Sequence, residues 1–156
     1  MLVKKIKFTD FDGNEREQEY YFHMNKAEVA EWLMCSGNYT LDKVLIRLTQ
    51  TQNAKEIMEL YKDIIHRSYG VKSLDGISFD KTEEAWNRFY HSEAYSVLFM
   101  ELVSDASKFS EFINQIIPKD LSDDIDKIMK ENRDSLPDYV KEYLPKIEEG
   151  KVTPIN

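Results

Sequence analysis

Apolar and polar residues alternate with a period of two at the start of the chain. On each side of a short polar segment the apolar side chains share one parity, and lysine or glutamate occupies most of the other. This alternation predicts two half-buried β-strands, with Lys4 and Tyr21 as exceptions. Between the strands, Asp12-Gly13 is typical of a two-residue hairpin turn. We therefore predict an N-terminal β-hairpin whose apolar parity comprises Leu2, Ile6, Phe8, Tyr20, Phe22 and Met24.

After this hairpin the apolar residues recur every three or four positions, which predicts amphipathic helices. Asn25 and Asn53 are each followed three residues later by a glutamate, a pattern typical of a capping box at a helix N-terminus. The first helix is predicted to stop at Gly37 and a second to begin at Thr40. The third is predicted to end with Gly70 as its C-cap.

The next segment, VKSLDGISF, leads to the most hydrophobic third of the chain. Its Asp75-Gly76 dipeptide indicates a turn, so the segment is either a loop or a second small hairpin. Three more helices are predicted beyond it, because a polar capping residue precedes an apolar periodic run each time. They begin at Asp80, Ser92 and Asp105.

The predicted fold class is mainly α. An N-terminal β-hairpin is followed by a compact multi-helix domain, and together they occupy residues 1–118. Beyond Pro118 the apolar stripes become narrow, and Pro137 and Pro145 divide the region. We therefore expect residues 119–156 to form a variable, loosely packed helical C-terminal appendage with a frayed end.

Composition excludes several classes of function. The 156 residues are 42% hydrophobic, which suffices for one domain with a core, and the formal net charge is -8. No lysine or arginine cluster is present to contact a phosphate backbone, so nucleic-acid binding is not expected. Cys35 is the single cysteine, which fits a reducing cytoplasm. No apolar run reaches the roughly 18 residues of a membrane helix, and no signal peptide is predicted.

The strongest candidate for catalysis is the pair Asp10 and Asp12, which resembles the D-x-D-G start of haloacid-dehalogenase-like phosphatases. That chemistry requires a strongly apolar buried strand directly before the pair, whereas Lys7 and Thr9 interrupt the strand here. A structural role in the hairpin turn is the favoured interpretation. A magnesium-dependent phosphatase remains the enzymatic alternative.

No other arrangement in the sequence indicates chemistry. His23, His66 and His91 are far apart, and none has a serine or cysteine partner in a nucleophile motif. No glycine-rich phosphate loop is present either. We therefore predict no catalytic, metal or cofactor site, and the sequence favours a binding protein.

The predicted helices between residues 86 and 117 carry more large side chains than a core of this size clearly needs. These side chains either form the core of the chain or cover a partner-binding surface, and the sequence does not separate the two interpretations. The candidate partner-binding residues are Trp86, Phe89, Tyr95, Phe99, Phe109 and Phe112.

Three landmarks follow one another along residues 3–121. They are KIKFTDFDGNE with the aromatic strand after it, then DIIHRSYGVKSLDGISF, then HSEAYSVLFMELVSDASKFSEFINQIIPKDL. Their order resembles the tail assembly chaperones of long-tailed phages and prophages of Gram-positive bacteria. The most specific parts are SYGVKS, SEAYSVLFMEL and FINQIIPK. These are structural signatures, and none of them contains a catalytic residue.

The resemblance implies a non-enzymatic role in the cytoplasm of a host bacterium. Such proteins bind the tape-measure protein, keep it soluble, recruit tail-tube subunits and are absent from the finished virion. Many also occur as a longer form made by translational frameshifting. Weak self-association would suit a protein that coats a long helix in many copies. The alternative is a small helical adaptor or regulatory protein without catalytic activity.

Limited proteolysis tests the predicted boundary near residue 119. Because the apolar stripes narrow there, a nonspecific protease is expected to remove the C-terminal region first and to leave a fragment that contains the hairpin. Mass spectrometry of the fragments measures the order of cleavage. Loss of the hairpin while the C-terminal region resists would contradict the division.

Overall fold

The computed structural model describes residues 1–35 and 53–120, together with residues 147–148 and 151–152. Short β-strands and α-helices are interspersed along these residues. In chain order they are β1 (Leu2–Thr9), β2 (Glu15–Phe22), α1 (Lys26–Cys35), α2 (Ala54–Ser68), β3 (Tyr69–Lys72), β4 (Phe79–Asp80), α3 (Glu83–Tyr90), α4 (Glu93–Ser104), α5 (Ala106–Ile116), β5 (Ile147–Glu148) and β6 (Lys151–Val152). The predicted mainly α fold with an N-terminal hairpin is confirmed in outline.

In the described part of the chain, β1 to β4 form one antiparallel sheet in sequential order. The β1–β2 ladder runs from Leu2 opposite Phe22 to Thr9 opposite Glu15. The β2–β3 ladder is short and joins Phe22 to Tyr69 and Tyr21 to Gly70. The sequence allowed either a loop or a small hairpin for the segment VKSLDGISF. The structure has a hairpin there, formed by β3 and β4.

The turn between β1 and β2 is wider than the predicted two-residue turn at Asp12-Gly13. The Asp10 N–H donates to the Asn14 carbonyl at 2.9 Å, and the Gly13 N–H donates to the Asp10 carbonyl at 3.0 Å. Three residues, Phe11 to Gly13, thus lie between the closing pair. Gly13 has φ of 84°, while no described non-glycine residue has a positive φ. The prediction was wrong about loop length, and the observed loop needs left-handed backbone only at its glycine.

Gly70 does not cap a helix, so the prediction of a C-cap there is wrong. Helix α2 ends at Ser68, and Tyr69 follows with extended dihedral angles. Gly70 lies in β3, where a Cβ atom would be 2.6 Å from Cε1 of Phe79 and 2.9 Å from the Asp80 carbonyl oxygen. The glycine is therefore needed because the β4 backbone and the Phe79 ring approach it closely.

The N-terminal caps are mostly where the sequence predicted them. The Asn25 side chain accepts from the Glu28 N–H at 2.9 Å, and the Glu28 carboxylate accepts from the Asn25 N–H at 2.8 Å. Asn53, Ser92 and Asp105 also cap the helices that follow them. The helix predicted from Thr40 and its preceding stop at Gly37 lie outside the described residues.

Helix α3 begins later than the predicted start at Asp80. Thr82 is its N-cap, and the Thr82 hydroxyl accepts from the Ala85 N–H at 3.3 Å. Asp80 instead ends β4, and its carboxylate accepts from the Thr82 N–H at 2.9 Å. The prediction was wrong because Asp80 completes the ladder to Val71, a contact that the local sequence does not reveal.

Most of the segment predicted as a helical appendage, residues 119–156, lies outside the described residues. Within it, Ile147 pairs with Val152 and Glu148 pairs with Lys151 in a short antiparallel ladder. The division at residue 118 therefore stays a prediction.

The core is centred on Phe22, which is fully buried at the end of β2. Its ring centroid lies 5.3 Å from that of Phe112, 5.8 Å from Tyr69 and 5.9 Å from Phe89. These rings belong to α5, β3 and α3, so one side chain joins the sheet to both helices. The chain just after Phe22 is also attached to α5, because the Met24 N–H donates to the Ile116 carbonyl at 2.9 Å.

Lys4, one of the two exceptions to the strand alternation, has a partner on the helical layer. Its side chain lies on the inner face of β1, against which α4 packs. The Lys4 Nζ is 3.0 Å from Oε1 and 3.1 Å from Oε2 of Glu101 in α4. The charge on the inner face is thus neutralised by the helix that covers it.

Replacing Gly70 by alanine tests the close approach of β4. The added Cβ would overlap the Phe79 ring and the Asp80 carbonyl, so Gly70→Ala is expected to lower the free energy of unfolding by about 1–3 kcal/mol. Urea denaturation measures the change. Val71→Ala, at an exposed neighbouring position, is the control and should change stability by about 0.5 kcal/mol or less. Equal effects of the two variants would contradict the proposed role of Gly70.

Candidate functional site

The structure divides the six predicted partner-binding residues into two groups. Trp86, Phe89, Phe109 and Phe112 are buried in the core. Tyr95 and Phe99, both on α4, are half-buried at the edge of that core. The four buried rings support the helical layer, and the exposed surface of this region lies elsewhere on α4.

Tyr95 connects the buried rings to the edge of α4. Its ring lies edge-on to Phe89 at 5.6 Å and to Trp86 at 5.7 Å, and it stacks on Phe99 at 5.7 Å. A tyrosine phenol is already neutral at physiological pH, and burial raises the pKa of Tyr95 further, to about 12. Uncharged aromatic contacts thus connect the core to the edge of α4.

The outward side of α4 carries very little charge. All of α4 is described, and its exposed residues are Glu93, Ser96, Val97, Met100 and Ser104. Val97 is 42% exposed and Met100 is 60% exposed. In the neighbouring α3, by contrast, Glu83, Glu84, Asn87 and Arg88 are exposed. We call Ser96, Val97, Met100 and Ser104, with the half-buried Phe99, the α4 face.

Charged groups lie at the border of the α4 face. Glu93 occupies the first turn of the helix, where a carboxylate is favoured. Glu101 accepts from Lys4, and its carboxylate is also 3.8 Å from the Lys108 Nζ. A surface with an apolar centre and a polar border has the composition of a protein–protein interface.

Sequence reasoning missed Val97 and Met100 because it selected residues by aromatic type. The helical periodicity of the sequence did contain a signal that these two residues are exposed. Eight of the twelve residues of α4 are apolar, which is more than the single apolar stripe of a normal surface helix requires. Only one side of the helix can face the core, so the opposite side had to be exposed or bound by a partner.

The Asp10 carboxylate is fully engaged by the hairpin turn. Its Oδ1 accepts from the Asp12 and Asn14 N–H groups at 3.0 and 2.9 Å, and its Oδ2 accepts from the Arg16 Nε at 2.7 Å. The Arg16 hydrogen bond is the main cause that lowers the pKa of Asp10. This geometry supports the structural interpretation of Asp10 over a nucleophilic one.

The histidines and nearby carboxylates do not converge on a reaction centre. The His66 ring stacks on Trp86 at 4.3 Å, and its Nε2 is 3.4 Å from the Glu83 carboxylate. Burial lowers the pKa of His23, which favours the neutral imidazole. In the part of the chain that the structure describes, no group of three or more histidine, cysteine, aspartate or glutamate residues is placed to hold a metal ion.

A small charged cleft lies beside His66, between α1, α2 and the start of α3. The Lys81 Nζ donates to the Glu28 carboxylate at 2.8 Å and to the Arg67 carbonyl at 2.7 Å. Arg67 in turn donates to the Asp63 carboxylate at 2.9 Å. The two cations that line the cleft are therefore each paired with a carboxylate, and Glu31 adds one further negative charge to the lining.

Comparison with known proteins gives one match. A family model described as phage tail assembly chaperone matches residues 1–155. No curated protein and no solved structure matches the chain. Across the described residues, none of the helices is long and apolar enough to cross a membrane.

The variant Asp10→Asn tests the structural role of this aspartate. The amide oxygen can still accept from both backbone N–H groups, so the hairpin should fold, but the charged bond to Arg16 is lost. The folded pKa of Asp10 is lowered, so its stabilising contribution is present above its unfolded pKa of about 3.8 and is lost as the pH falls through the folded pKa. The stabilities of the wild type and the variant, measured by urea unfolding, should therefore converge as the pH falls below 3.8.

An assay of magnesium-dependent phosphate-ester hydrolysis tests the enzymatic alternative. Turnover by the wild-type protein that disappears in a folded Asp10→Asn variant would contradict a purely structural role.

Proposed function

We propose that this chain, which belongs to the phage tail assembly chaperone family, binds the tape-measure protein while the tail is built. It keeps that protein soluble, helps to recruit tail-tube subunits and is absent from the mature virion. The chain acts by binding, without a catalytic step, in the cytoplasm of the host bacterium. The family membership and the uncharged α4 face are the observations that support this proposal.

The α4 face suits a helical partner with an apolar stripe. Val97 and Met100 supply apolar area at its centre, while Ser96 and Ser104 are small enough to let another helix approach closely. A flexible methionine also adapts to successive segments of a long partner that differ in sequence. Val97 and Met100 are three residues apart, which is the spacing of apolar anchors in recognition between helices.

The aromatic residues contribute in two ways to this proposal. Phe99 forms the half-buried border of the α4 face, and the half-buried Tyr95 lies next to it. The other four, Trp86, Phe89, Phe109 and Phe112, hold the helices that present it. A surface on rigid elements loses less conformational entropy on binding than a surface on loops.

Assembly along a long partner requires many weak, equivalent contacts. We propose that copies of this chain associate weakly with one another on the tape-measure protein, so that effective concentration stabilises the array. A frameshifted longer form of the same chain would join this array. The net charge of -8 would keep such an assembly soluble.

Co-expression with the tape-measure protein of the same phage tests the α4 face. The wild-type chain is expected to raise the soluble yield of the tape-measure protein, and Met100→Glu should abolish the gain because the desolvated glutamate would lack a partner. Met58→Glu is the matched control, since Met58 is an exposed methionine on α2 with 38% exposure. It should leave the yield unchanged. Thermal melting must show that both variants fold as the wild type does.

Two results would contradict the proposal. Absence of both a solubility gain and co-purification with the wild-type chain would favour the alternative of a small helical adaptor. Equal losses in Met58→Glu and Met100→Glu would show that charge alone, and not the α4 face, determines the effect.

A further inference from the structure

Strand β1 is an edge strand of the four-stranded sheet. Among the described residues the strand order is β1-β2-β3-β4, and no strand pairs with the outer side of β1. The ladder to β2 continues over all eight residues of β1, without a bulge or a proline. A long and regular edge of this kind is able to pair with a further strand.

Half of the backbone groups of β1 face away from β2. The Asp10 N–H donates to the Asn14 carbonyl, next to the β1–β2 ladder. The His23 N–H, by contrast, donates to the Ser68 carbonyl on the β3 side of β2. Because the direction of the bonds alternates along an antiparallel strand, the odd-numbered residues of β1 face outward. These residues are Val3, Lys5, Lys7 and Thr9. All four are exposed.

The side chains along this edge are positively charged, and β1 contains no acidic residue. The Lys5 Nζ is 3.6 Å from the Glu19 carboxylate, and the Lys7 Nζ is 3.3 Å from that of Glu17. Both pairs lie on the exposed face of the sheet, where such ion pairs are weak. The two lysine side chains are 66% and 82% exposed, so each can contact a second carboxylate on a strand added beside β1.

The same charges disfavour a second copy of β1 as the added strand. If two copies paired antiparallel through their outward groups, the registers with the greatest overlap would be centred on Lys5 or on Ile6. The first register places Lys5 opposite Lys5, and the second places Lys5 opposite Lys7. Like charges directly opposite each other destabilise a ladder. A strand with carboxylates at alternate positions is complementary instead.

A cleft of about 420 Å³ lies where β1 begins. Leu2 and Val3 of β1 contribute apolar lining on one side, and Ile117 and Pro118, which follow α5, contribute it on the other. The exposed Lys119 also lines the cleft. An added strand that runs antiparallel to β1 would bring its C-terminal end to this cleft. The lining suits an apolar side chain near that end, with a carboxylate close to Lys119.

We propose that β1 binds an extended segment of a partner protein, which adds to the sheet as an antiparallel strand. The segment carries carboxylates at two alternate positions, opposite Lys7 and Lys5. An apolar side chain follows two positions later, opposite Val3 and beside the cleft. Backbone hydrogen bonds supply affinity in this mode of recognition, and alternate side chains supply specificity. The edge is distinct from the α4 face, and the inference does not depend on the proposed function.

NMR titration of the isotope-labelled full chain with the synthetic peptide TETETLT tests this edge. In the proposed register its glutamates lie opposite Lys7 and Lys5, and its leucine lies opposite Val3. The amide signals of β1 are expected to shift as the peptide binds. The peptide TKTKTLT should bind roughly tenfold more weakly, because its lysines would lie opposite those of β1.

Methylation of the peptide backbone separates strand pairing from simple charge attraction. In the proposed register the N–H of the second glutamate faces β1, so methylation of that nitrogen should weaken the affinity roughly tenfold. Methylation of the next threonine nitrogen, which faces away from β1, is the control and should leave the affinity unchanged. The protein is the same in both titrations, so a folding defect cannot explain a difference.

Substitution of the edge lysines tests the charge contacts from the side of the protein. Lys5→Gln with Lys7→Gln should weaken the affinity for TETETLT roughly fivefold, since two cross-strand charge pairs are lost. Lys55→Gln with Lys62→Gln, at exposed positions on α2, is the matched control and should bind as the wild type does. Both double variants remove two positive charges, so the general attraction for an acidic peptide changes equally.

Three outcomes would overturn the inference. One is an absence of shifts in the β1 amide signals with TETETLT. Another is an equal affinity for the two peptides methylated at different nitrogens, which would show that no strand is added. The third is an equal effect of the two pairs of lysine substitutions.

Discussion

Burial of the Phe22 ring is the interaction on which the rest of the described structure depends. The ring contacts Tyr69 of β3, Phe89 of α3 and Phe112 of α5, and it lies at the point where β2 joins β3. Without it, β2 and β3 would be joined by only two residue pairs, and the sheet would lose the contacts of this ring with α3 and α5. The adjacent bond between Met24 and Ile116 fixes the chain at the same place.

This arrangement also determines which surfaces are left exposed. The aromatic cluster occupies the space between the sheet and the helices, so α4 packs its buried side against β1 and turns Val97 and Met100 outward. The same short junction leaves both hairpin turns beyond the core. The α4 face that we propose as a binding surface is therefore a consequence of a core built around one ring, because the apolar Val97 and Met100 remain on the outer side of α4.

Local features were predictable from the sequence, and long-range features were not. The capping box at Asn25 and the caps at Ser92 and Asp105 involve residues within four positions, so the pattern contains the whole interaction. The close approach of Phe79 to Gly70 and the ion pair between Lys4 and Glu101 join distant segments. Residue type alone also failed to separate core from surface, because the buried Phe22 and the exposed Phe11 are the same type of residue.

Site-specific photocrosslinking tests the central claim, that the α4 face contacts the tape-measure protein. A photoreactive amino acid at position 100 should crosslink to the co-expressed tape-measure protein, and the same amino acid at position 58 should not. Mass spectrometry of the product would place the crosslink on an apolar helical stripe of the partner. A crosslink from position 58 and none from position 100 would contradict the account.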